Sequence, residues 1–156
     1  MLTTFAFCAA TVFCGLNGSD VNGAADATGP VLAKAAADKP AQPKFMLQPV
    51  EQQIIEATNV QRAAYGLPGY VMDPSLMESA RQHTSWMTNA RNMVHSNQGV
   101  AENIAMGQPD AASVLVTWMN SSGHRANILN PGHRRIGVAA YQTPEGVIYW
   151  CQQFMP

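Results

Sequence analysis

The chain has 156 residues, a formal net charge of -1 and only 12% charged residues. That is enough length for one domain with a real core, and the charge balance excludes the basic footprint that nucleic-acid binding needs. Hydrophobic residues make up 47%, so a packed core is expected rather than a solvated polar chain.

Residues 1–25 read as an export leader. No charged residue occurs before Asp20, and Leu2 to Leu16 form an apolar run too short for a comfortable membrane span. No Lys or Arg precedes Lys34, so the usual positive flank is absent. Thr11-Val12-Phe13 is a poor context for a lipid anchor on Cys14. Cleavage near Ala24 or Ala25 would leave Cys151 alone of the three cysteines. One thiol closes no internal disulfide, and Cys151 reads as a small buried hydrophobe in a strand. Residues 26–48 are rich in Ala and Pro without an apolar period, and they hold all three lysines, Lys34, Lys39 and Lys44. This is a solvated spacer before a domain spanning 49–156.

A first helix is expected from Pro49 to about Tyr65, with Ile54, Ala57, Val60, Ala64 and Leu67 as its apolar stripe and Gly66 to Gly69 as its stop. Asp73-Pro74 opens a second helix reaching about Asn92, because a capping carboxylate followed by Pro at the first position is a start signal. Its stripe is Leu76, Ala80, His83, Met87 and Ala90, which makes His83 a hydrogen-bonded core or rim histidine. Residues 99–107, GVAENIAMG, alternate as a strand with Val100, Glu102, Ile104 and Met106 on one face. A third helix enters at Pro109-Asp110, with Ala111, Val114, Trp118 and Ser121 on one side and Gly123 as its left-handed stop. One more turn is expected from Arg125 to Leu129. Ile136–Tyr141 and Val147–Phe154 then form a hairpin about the turn Thr143-Pro144-Glu145-Gly146. Both faces of the last strand are apolar, so layers cover the sheet on each side. The fold class is α+β: a three-layer α-β-α sandwich with a small, mainly antiparallel central sheet.

Glu102 is the anomaly in this pattern. A carboxylate in an apolar row is costly unless it is paired or lines a cleft. His95, seven residues earlier, and His124, after the third helix, are the available partners. One Glu and two His suit an open zinc-type site. They equally suit acid-base work, or a buried polar network that is purely architectural. Ser96, Ser121 or Ser122 beside a histidine would allow a serine hydrolase, although no nucleophile-elbow motif occurs. Arg125, Arg134 and Arg135 read as local ion-pair or carbonyl partners. His133, in a Pro-Gly turn, reads as exposed, and Trp118 and Trp150 as core anchors.

Several blocks occur in a fixed order: Asn59-x-x-Arg62 with Gly66-Leu67-Pro68; His95-Ser96; Ala101-Glu102-Asn103-Ile104-Ala105; Trp118-Met119-Asn120-Ser121-x-Gly123-His124-Arg125-x-Asn127-Ile128-Leu129-Asn130-Pro131; Ile136-Gly137-Val138; and Tyr149-Trp150-x-Gln152-x-Phe154. Together, across about residues 52–154, they resemble the CAP superfamily, the SCP-like extracellular domain, in its short bacterial form. The resemblance implies an α-β-α sandwich and a secreted, periplasmic or cell-surface protein. It implies a cleft in which His95 matches the first histidine, Glu102 an acid and His124 the second histidine. Ser121 stands where the family often has the second acid, which removes one negative charge and weakens cation binding. Ala101 replaces the usual Gly before Glu102, and the disulfides of animal members are absent. Members have been linked to divalent cations, to lipid or sterol binding and to proteolysis, and no single activity defines them. The expected function is therefore binding of a small molecule, lipid, peptide or divalent cation (zinc or calcium) in the cleft of His95, Glu102, Ser121 and His124. No cofactor is required, and His95, His124 and Glu102 are the expected metal ligands. A hydrolase and an inactive cell-wall-associated domain are the alternatives.

Overall fold

The computed structural model describes residues 47–156; the leader and nearly all of the spacer lie outside the described residues. The elements run α1 (Pro49–Ala64), β1 (Val71–Met72), α2 (Pro74–Ala90), β2 (Ala101–Met106), α3 (Ala111–Asn120), α4 (Ser122–Ile128), β3 (Arg135–Gln142) and β4 (Ile148–Met155). The strands form one sheet in the order β1-β3-β4-β2. The β3–β4 and β4–β2 pairs are antiparallel, and the two-residue β1 lies parallel to β3.

The sheet is covered on both sides. Ala80 and Met87 of α2 pack on Ile104, Ala139, Tyr149 and Cys151. On the other face Ile54 of α1, Trp118 of α3 and Ile128 of α4 meet Ile136, Val138, Trp150 and Phe154. This division follows from the pleat, which sends alternate residues of each strand to opposite layers. The same rule separates two neighbours in β2. Glu102 falls in register with Gln153 and Gly137, while Asn103 falls in register with Gln152 and Val138. Gly137 is required by close approach: a Cβ there would lie 2.2 Å from the Leu76 carbonyl carbon at the start of α2.

Local signals explain most boundaries. The Asp73 carboxylate accepts the N–H groups of Ser75 (2.9 Å) and Leu76 (3.1 Å), capping α2. Hydrogen bonds from Ser75 first, and also from Leu76 and Arg135, hold its pKa down at about 2, against a smaller opposing effect of burial. Asp110 caps α3 through Ser113 N–H at 2.7 Å. In the hairpin, Gly146 N–H donates to the Thr143 carbonyl at 2.9 Å, closing the expected turn.

The buried face of α1 is not the apolar stripe expected from the sequence. Glu51, Ile54, Thr58 and Arg62 point inward, and Val60 is 66% exposed. Polar residues occupy the inner face because each finds a partner there. Glu51 takes a two-point ion pair from Arg81 (2.7 and 2.6 Å). Thr58 accepts from Gln152 (2.8 Å) and donates to the Ile54 carbonyl (2.7 Å). Arg62 is 0% exposed and donates to the carbonyls of Pro68, Ile128, Asn130 and His133, with its guanidinium 3.8 Å over the Tyr70 ring. Asn59 pairs with the backbone of Tyr70 through both amide atoms (2.7 and 3.1 Å). The Asn59-x-x-Arg62 block thus ties α1 to the two loops that flank β1 and precede β3.

Three further expectations are corrected. Gly123 does not end α3 in a left-handed conformation; it lies inside α4, and the break falls at Ser121, whose backbone is extended (φ -98°, ψ 124°). The turn after it is a two-turn helix because the Ser121 carbonyl accepts the Arg125 N–H at 2.8 Å and starts a new ladder. His133 is half-buried, stacked on Phe154 with ring planes 7° apart, since the loop it occupies folds back onto β4. Trp118 and Trp150 are core anchors as expected, donating to the carbonyls of Ile104 (3.2 Å) and Gln108 (3.1 Å). The Arg readings also hold: Arg125 donates to the Tyr65 hydroxyl, Arg134 to the Pro131 and His133 carbonyls, and Arg135 to Asp73 and the Pro156 carbonyl.

Candidate functional site

Glu102 sits on the α2 face of β2, 7% exposed, and its carboxylate is surrounded by donors. Oε1 accepts from His95 Nδ1 (2.9 Å) and from the Ser96 backbone N–H (2.9 Å). Oε2 accepts from the Ser96 hydroxyl (2.7 Å) and from Gln153 Nε2 (2.9 Å), with Cys151 Sγ at 3.8 Å. Burial alone would raise the carboxyl pKa. The hydrogen bonds from Gln153, Ser96 and His95 outweigh it and hold Glu102 below the usual range. Burial pushes the Cys151 thiol well above its ordinary value, and the Glu102 charge adds to the effect. Cys151 is a buried, unreactive neighbour of the site.

The ten-residue loop between α2 and β2 delivers His95 and Ser96 to this carboxylate. Arg91 in the left-handed region (φ 52°) turns the chain out of α2, and Gly99 (φ 67°) turns it into β2. The His95 side chain is 59% exposed although its partner is almost fully buried. A carboxylate accepts only, so Nδ1 of His95 is the donor, and Nε2 is left free of Glu102.

His124 is on α4, on the other side of β2. Its Nδ1 is buried and has no hydrogen-bond partner among the described residues. Burial lowers its pKa, and a coulombic contribution from His95 lowers it further. The backbone of His124 is held by Asn103, whose Nδ2 donates to its carbonyl at 3.1 Å. Asn103 also accepts from Asn127 (2.9 Å) and donates to Gln152 (3.3 Å), so α1, α4, β2 and β4 share one buried polar network. Asn127 additionally donates to the Glu102 carbonyl at 3.2 Å.

The structure therefore brings His95 into contact with Glu102, while among the described residues no hydrogen bond joins the His124 side chain to either of them. Ser121 lies between α3 and α4, and its hydroxyl bonds to none of these three residues. The Ser96 hydroxyl donates to Glu102 rather than to a histidine, so no Ser–His pair forms there. Two contributors escaped the sequence reading. His83, expected as a hydrogen-bonded core or rim histidine, donates from Nε2 to the Val94 carbonyl (2.9 Å) and lies 3.9 Å from Glu102 Oε1. Gln153 holds Glu102 from β4 and is itself bonded to the Ser79 hydroxyl at 2.6 Å. Register supplies the signal for Gln153, because residues opposite one another on paired strands share a face. Among the described residues, no group of three or more His, Cys, Asp and Glu side chains is arranged to hold a metal ion.

The domain is a three-layer α-β-α sandwich in which a loop histidine pairs with a carboxylate on the edge strand. The chain belongs to the CAP family, the cysteine-rich secretory protein family, whose model matches residues 55–154. It is 35% identical over 122 residues to YkwD of Bacillus subtilis, covering 67% of this chain and 46% of that protein. Its fold is similar to an extracellular protein containing an SCP domain from Bacillus anthracis (TM-score 0.61, 26% identity, 72% of this chain and 45% of that one). It is also similar in fold to a crystal structure of NaASP2 with Zn²⁺ (TM-score 0.55, 16% identity, 74% of this chain and 83% of that one). The chain spans under half the length of the curated relatives it matches. Among the described residues no helix is long and apolar enough to cross a membrane.

Proposed function

We propose that this protein is a secreted CAP module that binds a divalent cation, zinc in the first instance, through His95 and His124. The observation that carries the reading is the state of Glu102. With four donors on its two oxygens it has little left to offer a metal, but it accepts from His95 Nδ1 and leaves Nε2 free of itself. Metal-binding histidines characteristically donate their other ring nitrogen to a carboxylate in this way. The buried Nδ1 of His124, without a hydrogen-bond partner among the described residues, supports His124 as the second ligand. The reading is a two-histidine site with Glu102 as its anchor, in place of the three-ligand set expected from the sequence. A bound zinc ion would supply Lewis acidity and open coordination positions for a small ligand or peptide. The chain's own residues supply orientation: Ser96 and Gln153 hold Glu102, Glu102 holds His95, and Asn103 holds the backbone of His124. The association of this fold with Zn²⁺ in NaASP2 supports the choice of ion. Export through the Leu2–Leu16 run belongs to the same reading.

Calorimetric titration of the metal-free protein with Zn²⁺ tests it. Saturable binding is expected, weakened at least tenfold in H95A and in H124A, and by about 10–100-fold in E102Q, the usual scale for a residue that orients a ligand. Absence of saturation, or an H124A variant that binds like wild type, would overturn the assignment.

A further inference from the structure

Trp86 is the one tryptophan of the described residues that the core does not use. It stands on the outer face of α2, 49% exposed, whereas Trp118 and Trp150 are buried with their indole N–H groups bonded to carbonyls. Large aromatic rings normally bury most of their surface, so an indole left half in water is a cost that folding does not recover. The ring has one aromatic neighbour. It lies nearly parallel to the His83 imidazole (11°, centroids 6.0 Å apart), and His83 is in turn pinned to the Val94 carbonyl.

Two open grooves meet at this ring. One, of about 480 Å³, runs along α2 toward Tyr141, and the other, of about 340 Å³, lies under the loop that carries His95. Their polar walls include amides and hydroxyls, Gln82, Ser85 and Asn89 on the first side and Ser96, Asn97 and Gln98 on the second, beside Glu78 and Arg81 on the first and the two imidazoles on the second. Several are already oriented. Gln82 donates to Glu78 (2.9 Å), Asn89 to Ser85 (3.4 Å), and Gln98 accepts from Ser79. A primary amide offers two donors and two acceptor sites, so each keeps capacity for a ligand. Charge is sparse. The second groove contains no Asp, Glu, Lys or Arg, and the first carries Glu78, which accepts from Gln82, and Arg81, which pairs with the Glu51 carboxylate.

An exposed aromatic plane bordered by amides and hydroxyls matches one ligand chemistry. A β-linked pyranose chain presents flat C–H faces, which pack on an aromatic ring, and equatorial hydroxyls around its rim, which pair with planar amides. An anionic polymer would want a cluster of cations, and Arg81 is the one Lys or Arg lining either groove. A peptide adding as a strand needs an open sheet edge, and these grooves lie on a helix surface. We propose that Trp86 and the grooves on either side of it form a binding site for a neutral β-linked oligosaccharide. The site adjoins His95 but does not rest on the cation reading, since no step of the argument uses a metal.

The test is titration of the full chain with the hexamer of β-1,4-linked N-acetylglucosamine, and with the glucose hexamer, followed by ¹H–¹⁵N NMR. The three indole N–H signals separate the cases: the Trp86 signal should shift and saturate while those of Trp118 and Trp150 stay still. W86A should weaken binding at least tenfold with an unchanged circular dichroism spectrum, and W86F should stay within a few-fold of wild type. H124A should bind the hexamer as wild type does while losing zinc, so failure of the cation reading and failure of this one are distinguishable. No saturable shift with either hexamer up to roughly 5 mM, or W86A binding like wild type, would overturn the proposal.

Discussion

Replacing Glu102 by Gln preserves shape and removes only charge and one acceptor oxygen, so it isolates the role of the carboxylate. The four hydrogen bonds at 2.7–2.9 Å come from His95, Ser96 (twice) and Gln153. The amide oxygen can keep the two bonds at the Oε1 position, but its NH₂ group then faces the Gln153 amide and the Ser96 hydroxyl. Two charge-assisted bonds are lost or must be rebuilt as neutral ones, each worth about 1.5–3 kcal/mol. We expect a net destabilisation of about 3 kcal/mol, which for a domain of roughly 100 residues lowers Tm by about 14 °C. The pH dependence has a definite sign. The folded carboxyl sits below its ordinary value, so its contribution is present above the unfolded pKa of about 4.3 and disappears as pH falls through the folded value. The Tm gap between wild type and E102Q, followed by circular dichroism from pH 7 to pH 3, should therefore narrow as the solution is acidified. A gap below about 2 °C at pH 7, or one that stays constant on acidification, would refute the picture of an ionised, donor-saturated anchor.

Two further substitutions probe how the site is framed. G137A forces a methyl group into the Leu76 backbone at 2.2 Å, so α2 must back away from β3; a loss of about 3 kcal/mol or more is expected in urea denaturation, since backbone cannot swing aside as a side chain can. R62K keeps the charge but replaces a planar fork by a point ammonium, which cannot span the carbonyls of Pro68, Ile128, Asn130 and His133; a loss of about 2–4 kcal/mol should appear in the same assay, and wild-type stability would show that the fork geometry is immaterial.

Glu102 was legible in the sequence because alternation exposes a charge standing in an apolar row, and the row is where the structure puts it. The hairpin, the α2 cap and the three layers were equally legible, since each follows from local chemistry or from the two-sided apolar strand. The inner face of α1 was not. Its burial is carried by Thr58 and Arg62, whose partners, Gln152 and the loop carbonyls, are more than sixty residues away apart from Pro68. A periodicity of apolar residues does not register polar groups that are buried by long-range pairing. β1 escaped for a different reason: two residues carry no alternation, and only the parallel partner Arg135–Ile136 defines them as a strand. Gly123 misled because glycine signals a helix stop only where the backbone turns left-handed, and here it does not.

β2 ends the sheet, so one side of it has no strand to pair with. Its carbonyls at Glu102 and Ile104, two residues apart and hence on the same side, are taken by Asn127 of α4 and Trp118 of α3 at 3.2 Å each. Two side chains thus stand in for a fifth strand. An incoming chain would have to displace an amide and a buried indole before it found the first acceptor, which makes this margin a poor template for self-association. The carboxylate that orients His95 can therefore lie on the outermost strand, close to solvent, without leaving that strand open to aggregation.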